Sequence, residues 1–391
     1  MDPIYLDHNA TTPVDPEVVE AMKPYFTDTF GNASSVHHFG REAKVALENA
    51  REQIAEFIGC SPSELYFTSG GTESDNLAVL GAAFQRQNRR KHVVVGATEH
   101  HAVLEPTEYL QHRHGFDWDI APVDSDGFVS PKRLANVVNE NTSLVSIMHA
   151  NNEVGTIQDL SPLIEVAHNS GALFHTDAVQ SCGKIALDMH KLGLDMASMT
   201  GHKIYGAKGT GALYIREGIK ITPLFHGGSQ EKKRRPGTDN VAGAVGLAKA
   251  LEIAGRRMEQ DWNQISELAD YFIDSVLKNI PDTYFNGPRM GGRIPQVCNI
   301  SFAGIEGESI LLALDMEGIA CSSGSACTSG ATEPSHVLVA MGKERVAAQG
   351  AIRFSLGRST TKAQMDYVLE KLPPIIERLR SMSPMYKQET K

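Results

Sequence analysis

The stretch Ser198-Met199-Thr200-Gly201-His202-Lys203-Ile204-Tyr205-Gly206-Ala207-Lys208-Gly209-Thr210-Gly211 lies between two apolar runs, residues 195–200 leading in and 212–215 leading out. It gathers hydroxyls, an imidazole, amines and glycines at the mouth of a predicted strand. A lysine in such a place can link a cofactor aldehyde, because an amine whose pKa is lowered by its neighbours forms a Schiff base. A phosphate loop would need a second glycine followed at once by lysine and a hydroxyl residue. Here Ala207 follows Gly206 and Gly209 follows Lys208, so that motif fails. A dinucleotide fingerprint fails too, since Gly209 and Gly211 lack a third glycine at the required offset. A plain turn with a solvated lysine stays open until the rest of the chain is read.

The same pattern recurs upstream. Residues 92–95 are apolar and run to Glu99-His100-His101-Ala102, and residues 144–148 run to Asn151-Asn152-Glu153-Val154-Gly155. Residues 173–174 run to His175-Thr176-Asp177-Ala178-Val179-Gln180. Residues 65–67 enter Thr68-Ser69-Gly70-Gly71-Thr72-Glu73-Ser74, and a helical pattern with Leu77, Val79 and Leu80 follows. Short buried strands alternating with helices predict an α/β fold with a largely parallel sheet covered on both faces. Ligands of such sheets sit outside the carboxyl ends of the strands, where these polar residues collect. The glycine turn before the helix at Gly71 and Thr72 has the form of an anion site, and an ordinary N-cap is the other reading of it.

Length and composition bound the rest. A chain of 391 residues predicts two domains. Its 41% hydrophobic and 21% charged residues describe a globular protein, and its net charge of −10 argues against nucleic acid or an anionic membrane as partner. No apolar run is long enough to span a bilayer, and Met1-Asp2-Pro3-Ile4-Tyr5-Leu6-Asp7 does not read as a secretory leader. The five cysteines, Cys60, Cys182, Cys298, Cys321 and Cys327, are scattered with no Cys-x-x-Cys, which suits a reducing, cytoplasmic setting. The fifteen histidines include no His-Glu-x-x-His, so no intrinsic metal is expected.

Asp15 and Pro16 predict a helix running towards Phe30, and residues 41–58 carry a helical apolar stripe capped by Gly59. The basic run Lys232-Lys233-Arg234-Arg235 reads either as a solvated loop or as an arm reaching a phosphate or another subunit. A long helix over about 241–277 leads to a smaller α+β domain. That domain holds predicted strands at 297–302, 319–321 and 351–356, helices near 306–316 and 362–380, and a loop of small residues around Cys327.

Pyridoxal phosphate chemistry needs a lysine for the aldehyde, an acid facing the ring nitrogen and a phosphate cup. Lys203, Asp177 and Gly71-Thr72 supply those groups, all at predicted strand ends, and His100 could stack on the ring.

With these parts in order, the chain resembles the pyridoxal phosphate-dependent cysteine desulfurases of the NifS/IscS type, within the class V aminotransferase family. The matching stretches are Tyr5-Leu6-Asp7-His8-Asn9-Ala10-Thr11-Thr12-Pro13, Thr68 to Asn76, Thr98-Glu99-His100, His149 to Gly155, Asp177-Ala178-Val179-Gln180-Ser181, Gly201-His202-Lys203, Ser322 to Ser329, and Ile352-Arg353-Phe354-Ser355-Leu356-Gly357-Arg358. The resemblance implies a fold-type I transferase: a large domain over 13–255 with a mostly parallel seven-stranded sheet, and a smaller α+β domain from 1–12 and 256–391 carrying the cysteine loop at about 321–332. It implies that Lys203 is the Schiff-base lysine, Asp177 the partner of the ring nitrogen, Gln180 that of the phenolate oxygen, and His100 the stacking residue and a proton carrier. It implies phosphate ligation by Gly71, Thr72, Thr200 and His202, with Thr238 reaching in from the other subunit of a homodimer. Asn152 and Arg353 would hold the substrate, the latter as a carboxylate clamp. Cys327 would be the nucleophile, taking sulfur from L-cysteine as a persulfide while L-alanine leaves. An iron–sulfur scaffold is the implied sulfur acceptor, with Cys327 a transient cluster ligand. A selenocysteine lyase or another class V enzyme is the alternative.

The chain departs from the family pattern at three places. Cys321 stands where relatives often lack cysteine, and reads as a bystander or a disulfide partner of Cys327. Pro236 replaces an expected serine, and Ala207 stands where proline is common. Neither of the last two removes an assigned chemical group.

Overall fold

A computed structural model describes residues 3–289, 291–323 and 334–386. The strands are, in chain order, β1 (Ile4–Tyr5), β2 (Leu65–Thr68), β3 (His92–Gly96), β4 (Asp117–Ala121), β5 (Thr142–Ser146), β6 (Leu173–Asp177), β7 (Met196–Thr200), β8 (Gly211–Ile215), β9 (Thr283–Asn286), β10 (Val297–Phe302), β11 (Ile319–Ala320), β12 (Ser322–Ser323) and β13 (Ala351–Ser355). A seven-stranded sheet runs in the order β2-β8-β7-β6-β5-β3-β4. Only β8 is reversed, pairing antiparallel with both β7 and β2. The connection over residues 201–210 is too short for the crossover that a parallel neighbour would need, so the chain turns straight back.

Period-2 alternation splits this sheet between two apolar layers. Val93, Val95, Leu144 and Leu213 pack with Leu77 and Ala78 of the helix Gly71–Arg86 on one face. Val94, Val145, Phe174 and Tyr214 pack on the other, with Leu47 and Ile54 of the helix His38–Ile58 and Leu247 and Leu251 of the helix Val241–Asn279. Gly59 ends the helix His38–Ile58 at φ 65°, a left-handed cap that glycine adopts without cost. Fully buried His175 ties three strands together: Ser146 Oγ lies 2.8 Å from its Nδ1 and Ser198 Oγ 3.0 Å from its Nε2. Burial pushes this imidazole down to about 3, so it stays neutral.

The helix Val241–Asn279, about 58 Å long at 1.5 Å per residue, serves two cores. Its first half packs under the large sheet, and its second half adds Ile265, Phe272 and Val276 to a separate cluster with Ile4, Ile300, Phe354, Val368 and Ile376. That cluster underlies an antiparallel sheet of order β12-β13-β10-β9, beside which β1 pairs parallel with β11.

Two elements differ from the sequence expectation. The helix expected from Asp15 towards Phe30 is two short pieces, Pro16–Met22 and Pro24–Thr27, because Pro24 has no N–H to continue the ladder. Strand β4 was not expected, since Asp117 and Asp119 give it a polar, exposed edge character. No described helix is long and apolar enough to cross a membrane.

Phe272 is fully buried and meets Phe354 edge-on, with ring centroids 5.0 Å apart. Phe272→Ala is expected to cost about 3 to 5 kcal/mol of stability. The midpoint of guanidinium denaturation measures it, and a loss below about 1 kcal/mol would show that this contact does not hold the helix to β13.

Candidate functional site

Strands β3, β5, β6 and β7 end at a common edge, and the segments leaving them line one cavity of about 330 Å³. Gly71, Thr72, His100, Asn152, Asp177, Gln180, Thr200, His202, Lys203 and Arg353 all line it. Thr238 does not; it is exposed on the loop that follows the basic run. Cys327 lies outside the described residues.

Lys203 ends a single 3-10 turn, Gly201–Lys203, immediately after β7. Its Nζ donates to the carbonyl oxygens of Asn9 at 2.5 Å and Ala10 at 2.7 Å. The N-terminal segment therefore forms one wall of the site. Gln180 leans on the same carbonyl, its Nε2 donating to Asn9 O at 3.0 Å, while its Oε1 accepts from Lys184 Nζ at 2.9 Å.

Asp177 closes β6. It is 3% exposed and accepts the Val179 N–H at 2.8 Å. Burial pushes its carboxyl up to about 6, against the pull of that N–H and of Lys203. Asp75 and Glu99 lie beside it, both buried. Burial raises both carboxyls further, and the charge on Asp177 adds to the rise. Glu99 Oε1 accepts the Met148 N–H at 2.6 Å, but Glu99 Oε2 and Asp75 Oδ1 have no hydrogen-bond partner.

His100 caps the helix His101–His114, its Nδ1 accepting the Ala102 N–H at 3.0 Å. Burial and Lys203 push this imidazole down to about 4, so the ring is neutral near pH 7 with its proton on Nε2. At the anion end, the helix Gly71–Arg86 begins with open N–H groups. A side chain at position 71 would put Cβ 2.7 Å from Val179 Cγ2, so only glycine leaves this approach clear. Glu73 of the first turn pairs with Arg235 at 2.8 Å, which docks the end of the basic run here. The Thr200 hydroxyl donates to Thr210 O at 3.1 Å, and His202 Nδ1 lies 3.2 Å from Thr11 Oγ1.

Arg353 of β13 is 3% exposed, pairs with Asp7 at 2.9 Å and donates to Asn152 O at 3.2 Å. Its Nε is buried without a partner. Ser322 of β12 stands directly opposite Arg353 in the sheet. On the far side of residues 324–333, Ser335 Oγ donates to Glu153 Oε2 at 2.5 Å and His336 Nε2 donates to Glu99 O at 2.9 Å. Both ends of that segment thus abut the cavity.

The chain matches the aminotransferase class V family over residues 4–368. The chain belongs to the class V aminotransferase family. It is 52% identical over 388 residues to the cysteine desulfurase IscS of Dictyoglomus turgidum, covering 99% of this chain and 98% of the relative. The solved structure of a NifS-like protein superposes with a TM-score of 0.90 at 39% identity, covering 96% of this chain and all of the other. The structure of SspA in complex with cysteine gives a TM-score of 0.81 at 33% identity over 92% of this chain and all of that one. The cofactor of these class V enzymes is pyridoxal phosphate. The cavity fits it by chemistry. A buried acid cluster short of cations suits a protonated ring nitrogen, an open helix start guarded by Gly71 suits a phosphate, and an amine lies between them.

Sequence reasoning assigned no role to Asp7, Asn9, Asp75, Glu99, Glu153 or Lys184. Asn9 acts through its backbone carbonyl, which no residue type advertises. Asp75 and Glu99 stand inside stretches already singled out, and a buried carboxylate beside Asp177 was the available signal.

Two outcomes follow from this geometry. Purified protein is expected to show the visible absorbance of bound pyridoxal phosphate, and Lys203→Ala to lose it; a band unchanged in that variant would remove Lys203 as the attachment point. Burial pushes Glu153 from 4.5 up to about 7. The folded state then binds the extra proton, so stability falls as pH rises from about 4.5 through about 7. Glu153→Gln is expected to flatten that decline, read from unfolding midpoints across the same range.

Proposed function

We propose that this chain is a cysteine desulfurase, removing sulfur from L-cysteine to leave L-alanine and a persulfide on Cys327. The observation that carries the reading is the convergence on one cavity of Lys203, Asp177, the open helix start at Gly71 and Thr72, and Arg353, with both ends of the segment bearing Cys327 beside them.

Pyridoxal phosphate, when bound, supplies an electron sink for a carbon that gives up its proton. The chain's own residues do the rest. Lys203 holds the cofactor and carries the substrate's α-proton. Asp177 stays ionised against the ring nitrogen, and Gln180 offers an N–H to the phenolate oxygen. Neutral His100 covers the ring face and can hand on a proton through Nε2. Gly71, Thr72, Thr200 and His202 hold the phosphate, joined by Thr238 of a second copy in a homodimer. That role suits an exposed threonine on a loop pinned near the same helix start by Arg235. Arg353 clamps the substrate carboxylate with Asn152 beside it; its buried, unpartnered Nε supports that assignment.

Cys327 then attacks the substrate sulfur as a thiolate: a sulfur–sulfur bond forms and the carbon–sulfur bond breaks. We read residues 13–255 as the cofactor domain, and 1–12 with 256–391 as the smaller domain that presents Arg353 and the cysteine. The sulfur passes to an acceptor of iron–sulfur cluster assembly, in the cytoplasm.

Cys327→Ser is expected to keep the visible absorbance and lose nearly all sulfide and alanine release from cysteine, measured side by side with selenocysteine. Normal cysteine turnover in that variant would take Cys327 out of the reaction. Turnover of selenocysteine alone by the wild-type chain would make it a selenocysteine lyase instead.

A further inference from the structure

Behind Lys203 lies a second, smaller cavity of about 60 Å³ that shares Asn9 and Lys203 with the first. Lys184 lines it, at the end of a turn in which its backbone N–H donates to Ser181 O at 2.9 Å. The other ionic groups of this wall are already balanced. Arg358 pairs with Asp15 at 3.0 Å and Asp261 at 3.3 Å, and Asp261 also takes Arg257 at 2.9 Å. Lys184 has no carboxylate partner among the described residues. The titratable groups that face it are His8, Cys182, His202 and Lys203. Burial holds both imidazoles down, His202 to about 4, and holds Cys182 up to about 12, so these three are neutral near pH 7. Burial and the charge of Lys203 push Lys184 itself down to about 7, so its charge is strongest in mildly acidic solution.

What Lys184 touches decides what it can do. An ammonium only donates, so the Gln180 atom 2.9 Å from its Nζ is the amide oxygen. The amide NH2 then faces Asn9 O at 3.0 Å, an atom that only accepts, and the two contacts agree on one orientation. Lys203 Nζ donates to that same Asn9 carbonyl. A continuous chain thus runs from Lys184 through Gln180 and the Asn9 carbonyl to Lys203. With the oxygen occupied, Gln180 keeps its second N–H for the cavity it lines, so it meets an anionic oxygen as a donor.

We propose that Lys184 is a positioning residue of the cofactor site: it locks the Gln180 amide with its N–H towards the cavity and places a positive charge behind Lys203. The proposal rests on the pyridoxal phosphate reading above. A cation here opposes a further proton on the nitrogen that joins Lys203 to the cofactor, and removing it makes that proton easier to hold.

The test is a pH titration of the visible absorbance of the holoenzyme, with wild type, Lys184→Met and Lys184→Arg compared. Lys184→Met is expected to raise the spectral midpoint by about half a unit to one unit, whereas Lys184→Arg, which keeps donor and charge, stays near wild type. Adding Gln180→Leu to Lys184→Met should shift the midpoint by less than the sum of the single changes, since both act through one chain. If Lys184→Met folds poorly, Lys184→Gln carries the same expectation. An unmoved midpoint in the neutral variants, or an equal shift in Lys184→Arg, overturns the proposal. A wild-type chain that takes up no pyridoxal phosphate overturns both readings; a normal wild-type band with an unmoved midpoint overturns only this one.

Discussion

Three carboxyl groups, Asp75, Glu99 and Asp177, share the buried floor of the cavity, and the surrounding site is built around their charge. An ionised carboxylate away from water costs several kcal/mol unless a cation or several donors face it. The chain supplies one backbone N–H to Asp177 and one to Glu99, and no arginine to any of the three. The three are not equivalent. Lys203 and the Val179 N–H draw Asp177 towards ionisation, while the charge on Asp177 drives Asp75 and Glu99 the other way. Environments that push neighbouring carboxyls apart sort them into separate roles. Here the negative charge concentrates on Asp177, at the end of β6, and the other two act as protonated, neutral supports. A single anion at that depth calls for a single cation, which is what a protonated ring nitrogen provides.

The opposite wall depends on the first dozen residues. Strand β1 joins β11, and the N–H of His8 reaches Ser355 O, so the N-terminal segment is stitched to the strands that carry Arg353. A few residues on, Asn9 and Ala10 receive Lys203, Asn9 receives Gln180, and the Asn9 side chain donates to Asn152 O at 2.9 Å. Asp7 meanwhile holds Arg353. The distance between the amine that anchors the cofactor and the guanidinium that would hold substrate is therefore set through this one strip of backbone. Positioning of this kind matters because reacting groups must be held within a fraction of an ångström of their working geometry.

Much of this was legible in the sequence where side-chain chemistry or periodicity carries the signal. The split of Val93 and Val95 from Val94 is plain alternation, and the stripe through Ala43, Leu47, Ala50 and Ile54 is plain helical spacing. Polar residues at four successive strand ends marked the edge on which the site lies. Other features were hidden for physical reasons. The reversal of β8 follows from the length of a connection rather than from any residue in the strand. Strand β4 is an exposed edge, so its aspartates mask the pattern. The Asn9 carbonyl belongs to the backbone. Lys184 acts by orienting another side chain, and a lone lysine in sequence is indistinguishable from a solvated one.

The cysteines close the argument by elimination. Desulfuration needs a thiol that ionises readily and can reach both substrate and acceptor. Cys182 and Cys298 are buried, and their thiols are pushed up to about 12; Cys60 is part-buried and reaches the same value, with Glu64 adding to the effect of burial. Cys321 stands next to β12, yet burial raises its thiol further still, with the carboxylate of Asp7 reinforcing the rise. A thiol held neutral is a poor nucleophile, so none of these four suits the step. Of the five cysteines in the chain, the reading leaves Cys327. Its segment is bounded on one side by a strand opposite Arg353 and on the other by residues bonded to Glu153 and Glu99, so a nucleophile carried there has both ends of its tether fixed at the cavity. Lysine and cysteine then divide the task by placement: the amine sits on a rigid turn where the cofactor must not move, and the thiol on the segment that has to bring sulfur out.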